Sequence, residues 1–277
     1  MLEIQKKNIK TKDGLNIYYE KYILDKKAPT IFFVHGSGGD LEAWQYIKDE
    51  MLQKGFGSIA MDLRGHGYSS HPRAFKKYEI KNLAEDIEII LKKENLDKIF
   101  LVGHSFGSVV VMDFALRFPE KLKGLVVLSG TYKPPGYVSN KFFKFLFVKM
   151  INVLSFLSLP PINPGHSVYP VGKFHKDYEF YGLVKTVLRN SWGSYLLASK
   201  ELFTVDLESK INKILTPTLI MVGDKDSIFP VEISKNIHNK IKNSRIEIIE
   251  GANHPIVLNN IKTVVNALNN FFQEIER

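Results

Sequence analysis

Gly103-His104-Ser105-Phe106-Gly107 decides the fold. It follows the apolar run Lys98-Ile-Phe-Leu-Val102 and precedes Ser108 to Phe118, a stretch with the pattern of a helix. Gly-x-Ser-x-Gly between a strand and a helix describes a very tight turn, which pushes the serine into a strained conformation with its hydroxyl standing clear. The flanking glycines leave room where a Cβ would collide with the neighbouring strand or helix.

Outward from that turn, five more short apolar runs read as strands: Thr30 to Val34, Gly57 to Met61, Gly124 to Leu128, Thr218 to Val222 and Arg245 to Ile249. Unbroken Val/Ile/Leu runs suit strands buried on both faces of a parallel sheet. Helical patterns such as Tyr78 to Leu91 lie between them, and near the N-terminus Asn8 to Tyr19 alternates around Asp13-Gly14 as a β-hairpin. Strand–helix alternation predicts a three-layer α/β fold with a mostly parallel central sheet.

The rhythm breaks between Thr131 and Val205, a stretch with no strand-like run that is punctuated by Pro134-Pro135, Pro160-Pro161, Pro164-Gly165 and Pro170. Lys141 to Leu159 is rich in Phe and Leu, with Lys141, Lys144, Lys149, Asn152 and Ser155 on one side of a helical wheel. Its lysines argue against a membrane-spanning helix. The expected organisation is a core of residues 1–130 and 206–277, with a helical cap, 131–205, inserted after the sixth strand.

The chain has 277 residues, 44% hydrophobic and 24% charged, which is ordinary globular composition for one large core. The absence of cysteine excludes disulfides, thiolate catalysis and Cys-based metal sites. It fits the cytoplasm, as does a first stretch without an apolar signal-peptide core. The net charge of +9 comes from scattered lysines without a basic run, so no nucleic-acid partner is expected. The histidines show no metal-type spacing, and no metal is expected.

A serine hydroxyl is a poor nucleophile unless a base lies within hydrogen-bond reach and a third group orients that base. The partners belong just beyond late strands, in the order Ser, acid, His. Thr218 to Val222 runs into Gly223-Asp-Lys-Asp226, and Arg245 to Ile249 runs into Glu250-Gly-Ala-Asn-His254.

With these residues the chain resembles an α/β-hydrolase fold protein, a serine hydrolase with an inserted cap, of the carboxylesterase or monoacylglycerol lipase-like kind. Five segments carry the resemblance in the family order: His35-Gly-Ser-Gly-Gly39, Asp62-Leu-Arg-Gly-His-Gly-Tyr-Ser69, Gly103 to Gly107, Gly223 to Asp226 and Gly251-Ala-Asn-His254. The resemblance implies Ser105 as nucleophile, His254 as base and Asp226 as acid. Asp224 is the rival acid, and the family spacing from Gly223 favours Asp226. Oxyanion donors would be the backbone N–H groups of Phe106 and Ser37, with Gly38 as the alternative to Ser37. Gly36 and Gly38 let that loop approach the substrate, and Phe145 and Trp192 are the cap residues assigned to it. A phosphate loop at His35 to Gly39 is rejected because no Gly-Lys-Ser/Thr follows. His35 and His104 are expected to give structural support, His66 to hydrogen-bond within its loop, and His166 and His175 to sit at the surface or pocket rim.

The implied activity is hydrolysis of small-molecule carboxylic esters with small to medium apolar acyl groups, without cofactor. A serine at position 105 argues against the haloalkane dehalogenases and epoxide hydrolases of this fold, which use Asp. Carbon–carbon bond hydrolysis of ring-cleavage products, cofactor-free haloperoxidase or perhydrolase chemistry, and a non-catalytic ligand-binding role remain as alternatives. A monomer and a homodimer are both compatible with the sequence. The basic, greasy cap suggests contact with a lipid surface.

Overall fold

The computed structural model describes residues 3–24, 28–134, 141–156, 165–172 and 192–277. Among these, eight strands form one sheet in the order β1-β2-β4-β3-β5-β6-β7-β8. The strands are β1 (Glu3–Lys10), β2 (Asn16–Ile23), β3 (Thr30–Val34), β4 (Gly57–Met61), β5 (Ile99–His104), β6 (Leu122–Leu128), β7 (Thr218–Gly223) and β8 (Ser244–Ile249). The hairpin β1–β2 is antiparallel and joins β4 antiparallel, and every other pairing is parallel. Each apolar run of the sequence is a strand, displaced by at most two residues at an end.

The sheet separates two apolar layers, and strand alternation assigns side chains to them. Phe32, Val34, Ile99 and Leu101 face one layer, with helices α2 (Ile80–Lys93) and α3 (Phe106–Arg117). Ile31, Phe33, Phe100 and Val102 face the other, with α1 (Gln45–Gln53) and the C-terminal α8 (Ile261–Glu276). Burial on both faces is why these strands read as continuous apolar runs.

Between β6 and β7 lie α4 (Lys141–Phe156) and α5 (Trp192–Thr204), which pack on each other. Glu201 of α5 accepts the N–H of Ile80 at 3.0 Å and so caps the start of α2. The expected cap, 131–205, includes 135–140, 157–164 and 173–191, which lie outside the described residues, as does His175. Two further helices of the core are α6 (Val231–Lys240) and the short α7 (Ile256–Asn259), which follows His254.

The parallel strands all end on one side. Strand order reverses around β3, where open α/β sheets form their ligand crevice. The loops after β3, β5, β7 and β8 carry Ser37, Ser105, Asp226 and His254.

The turn at Ser105 is tight in the way its glycines require. Ser105 has φ 54° and ψ −118°, a left-handed conformation that costs a residue with a Cβ on the order of 1–3 kcal/mol. A Cβ on Gly103 would lie 2.5 Å from the Gly107 carbonyl oxygen, and one on Gly107 would collide with the carbonyl oxygens of Val34 and His35. Gly107→Ala should therefore lower stability by about 3 kcal/mol through forced backbone displacement. A urea unfolding midpoint equal to that of the wild type would contradict this packing.

Candidate active site

Ser105 stands at the N-terminus of α3, with its own N–H held by Leu128 O of the neighbouring strand at 2.9 Å. His254 Nε2 lies 2.9 Å from Ser105 Oγ, and His254 Nδ1 lies 2.9 Å from Asp226 Oδ2. The other oxygen of Asp226 accepts the N–H groups of Ile228 at 3.0 Å and Phe229 at 2.8 Å. Asp226 is buried, and burial alone would raise its pKa. The adjoining His254 and the Phe229 N–H outweigh this and hold the carboxyl below its ordinary value. The rival Asp224 is exposed, and its backbone N–H continues the sheet by bonding to Ile249 O at 3.1 Å.

The two late loops are stitched together. Lys225 N donates to Ala252 O at 2.9 Å, and a Cβ on Gly223 would overlap that same carbonyl. Gly223 therefore serves close approach of the Asp226 loop to the His254 loop. His104 supports the same loop from below. Its Nε2–H donates to the His254 carbonyl oxygen at 3.0 Å. Burial, and then the neighbouring His254, push the His104 pKa down to about 3, so its ring is neutral.

The loop after β3 is held by neutral histidines as well. His35 Nδ1–H donates to Gly36 O at 2.7 Å, while its Nε2 accepts from Leu63 N at 3.0 Å. His66 Nε2 accepts the N–H of Gly38 at 3.1 Å, and its Nδ1–H donates to Arg64 O at 3.0 Å. Burial lowers both pKa values, that of His66 to about 4. The Gly38 N–H is thereby engaged. The N–H groups of Ser37 and Phe106 meet no acceptor among the described residues, and neither does the buried Ser37 Oγ. Gly36 lies against Ser105, where a Cβ would come within 3.0 Å of the serine Cβ.

The segment Asp62 to Ser69 braces this arrangement. Asp62 accepts from Leu41 N and Tyr68 N, both at 2.9 Å, and Arg64 binds Asp86 through Nε at 2.6 Å and Nη2 at 2.8 Å. Arg64 also reaches Asp13 in the hairpin turn at 3.0 Å.

Phe145 is 55% exposed, and the Lys149 ammonium lies 5.0 Å from its ring centroid. Trp192 opens α5, and its side chain lies outside the described residues.

His166 escaped the sequence reading as a contact residue. It is not at a free surface: its Nε2 lies 2.8 Å from Asp62 Oδ2 and its Nδ1 3.5 Å from Glu42 Oε1. No sequence signal links positions so far apart. Asp40 carried a partial one, as a helix-start carboxylate that accepts from Glu42 N at 3.0 Å.

Comparisons agree with the fold. The chain is an α/β hydrolase. Within that superfamily it belongs to the family described as serine aminopeptidase, S33, whose model matches residues 25–260. A proline iminopeptidase from Saccharolobus solfataricus is 26% identical, with 87% of this chain and 84% of that protein covered. An esterase from Exiguobacterium antarcticum superposes with a TM-score of 0.75 at 21% identity, covering 99% of this chain and 100% of its own. An esterase from Thermogutta terrifontis gives 0.73 at 20% identity, with the same coverage. At such identities the two structures establish the fold alone. Among the described residues no helix is long and apolar enough to cross a membrane.

Burial lowers the His166 pKa, but Asp62 and Glu42 more than reverse this and raise it to about 10. A raised pKa contributes stability that is complete below the unfolded value, about 6.5. That stability is lost as pH climbs towards 10. The melting-temperature gap between wild type and His166→Gln should be widest at acid to neutral pH and close on the alkaline side. A gap that is constant across this range would refute the ion pair.

Proposed function

We propose that the chain is a serine esterase that hydrolyses carboxylic esters of small to medium apolar acyl groups. The single observation that carries this reading is the hydrogen-bonded chain from Ser105 Oγ through His254 to the buried Asp226. It lies beside the N–H of Phe106, and the loop bearing Ser37 packs against Ser105 through Gly36.

In the proposed cycle Ser105 Oγ attacks the ester carbonyl carbon as its proton passes to His254 Nε2. Asp226 stabilises the imidazolium and keeps the ring in the tautomer whose Nε2 is a base. The carbonyl oxygen becomes an oxyanion against the Ser37 and Phe106 N–H groups, which have no bonds among the described residues to break first. The tetrahedral adduct collapses, His254 gives its proton to the leaving alkoxide, and an acyl group remains on Ser105. Water then attacks the acyl carbon with His254 as base, and the carboxylic acid departs. The cycle needs no cofactor. The helices between β6 and β7 would roof the site and set the acyl preference.

The relative named proline iminopeptidase favours a second reading, amide cleavage by the same machinery, which differs in its leaving group. A panel of p-nitrophenyl esters and proline p-nitroanilide separates the two. Turnover of the anilide alone would replace the ester reading.

Ser105→Ala should reduce p-nitrophenyl ester turnover by on the order of 10⁴-fold or more, and a fluorophosphonate should label wild type but not the variant. Asp226→Asn should cost on the order of 10⁴-fold in kcat. Asp224→Asn should leave kcat within about two-fold, since its carboxylate lies outside the chain of bonds. Retained turnover in Ser105→Ala would defeat the proposal.

A further inference from the structure

The short segment Gly165 to Gly172 comes from the long stretch between β6 and β7, yet it binds the core at both ends. At one end it grips the loop after β3. Ser167 N donates to Asp40 Oδ2 at 2.7 Å, and Asp40 N donates to the Tyr169 hydroxyl oxygen at 3.1 Å. A Cβ on Gly39 would lie 3.7 Å from that same hydroxyl. His166 adds a third attachment through Asp62, whose other oxygen holds Leu41 N at 2.9 Å. At the other end Gly172 N donates to Leu258 O at 3.2 Å, in the short helix that follows His254.

Asp40 is the hub of the first end. It is buried, and each of its carboxylate oxygens takes one backbone N–H: Oδ1 that of Glu42 and Oδ2 that of Ser167. Its own N–H is satisfied by Tyr169. Three residues upstream lies Ser37. On the core side the intervening backbone is fixed at Gly38 by His66 and at Gly39 by a 3.1 Å bond to Gly36 O. Nothing else among the described residues holds the Asp40 N–H.

We infer that Tyr169 and Asp40 are positioning residues: the Gly165–Gly172 segment clamps the loop that carries the Ser37 N–H and so sets the geometry in which that N–H meets the oxyanion. The inference rests on the proposed roles of Ser105 and Ser37. The oxyanion bond is demanding about distance, and it is made only after the carbonyl carbon becomes tetrahedral. Loosening the clamp therefore weakens the transition state more than the bound ester, so the loss falls on kcat rather than KM.

The test uses the whole chain, with Tyr169→Phe, which removes one hydroxyl, and Asp40→Asn, which keeps the shape but turns an NH₂ or a single oxygen towards two N–H donors. For each variant, kcat and KM are measured on a p-nitrophenyl ester, together with the affinity of an alkyl trifluoromethyl ketone, whose Ser105 adduct carries an oxyanion. A misplaced rather than missing donor should lower kcat roughly 10- to 100-fold. KM should stay within about two-fold, and ketone affinity should fall by the same factor as kcat. Circular dichroism and the melting temperature establish that both variants fold. A change confined to KM, or a kcat loss without a matching loss of ketone affinity, overturns the clamp. So does wild-type kcat in both variants. Ser105-dependent turnover by wild type keeps these failures separate from failure of the esterase reading, and its absence overturns both.

Discussion

The close approach of α3 to β3 at Gly107 is the constraint on which the rest of the molecule depends. Because Gly107 has no side chain, the start of the helix lies against the carbonyls of Val34 and His35. That contact brings the Ser105 turn and the loop after β3 to the same place. The strained φ of Ser105 follows from it, since a relaxed turn would lift the helix off the strand. Strain of this kind persists only when packing over-determines it. Here the surrounding side chains of α3, from Val109 to Phe114, are almost wholly buried.

Burial has opposite consequences for the two kinds of titratable group nearby. His35, His66 and His104 are kept neutral by desolvation, and each then has one donor and one acceptor nitrogen with which to fix backbone. Asp226 stays charged despite burial because N–H donors and His254 face it. Asp40, buried beside Asp62 with fewer compensating partners, is pushed up to about 6. The site thus sets neutral rings to hold its loops in place and one stabilised anion to face the base. Arg64 plays a comparable part further out, where Asp86 and Asp13 offset the burial of its guanidinium.

Periodicity revealed the sheet because strands buried on both faces leave continuous apolar runs, and the loops that end them carried short glycine-bounded motifs. Ser105, Asp226 and His254 were visible for that reason: each lies in the short loop that follows a strand, so its position depends on local sequence and on strand register. The preference for Ser37 over Gly38 rested on resemblance, and the bond from Gly38 to His66 was visible only in three dimensions. The contacts of His166, Ser167 and Tyr169 were illegible in the sequence. These residues reach the Asp62 carboxylate, the Asp40 carboxylate and the Asp40 N–H, each more than a hundred positions away, and no periodicity encodes such a contact. Phe145 marks the limit of helical patterning, which shows an apolar face without saying what covers it.

What turns a sheet into a site is the continuation of its hydrogen bonding one residue past the strand ends. Ser105 N bonds Leu128 O, Ser129 N bonds Met221 O, and Asp224 N bonds Ile249 O, at 2.9, 2.8 and 3.1 Å. The first residue of each loop is therefore fixed by the strand beside it, in a register that runs from Gly103 opposite Val127 to Gly223 opposite Ile249. A slip of one residue at any of these pairings would exchange side chains between the two apolar layers and undo their packing. The apolar core thereby enforces the spacing of the hydroxyl, the imidazole and the carboxylate. Residues 149 positions apart meet within 2.9 Å because the strands that carry their loops, β5 and β8, belong to one sheet.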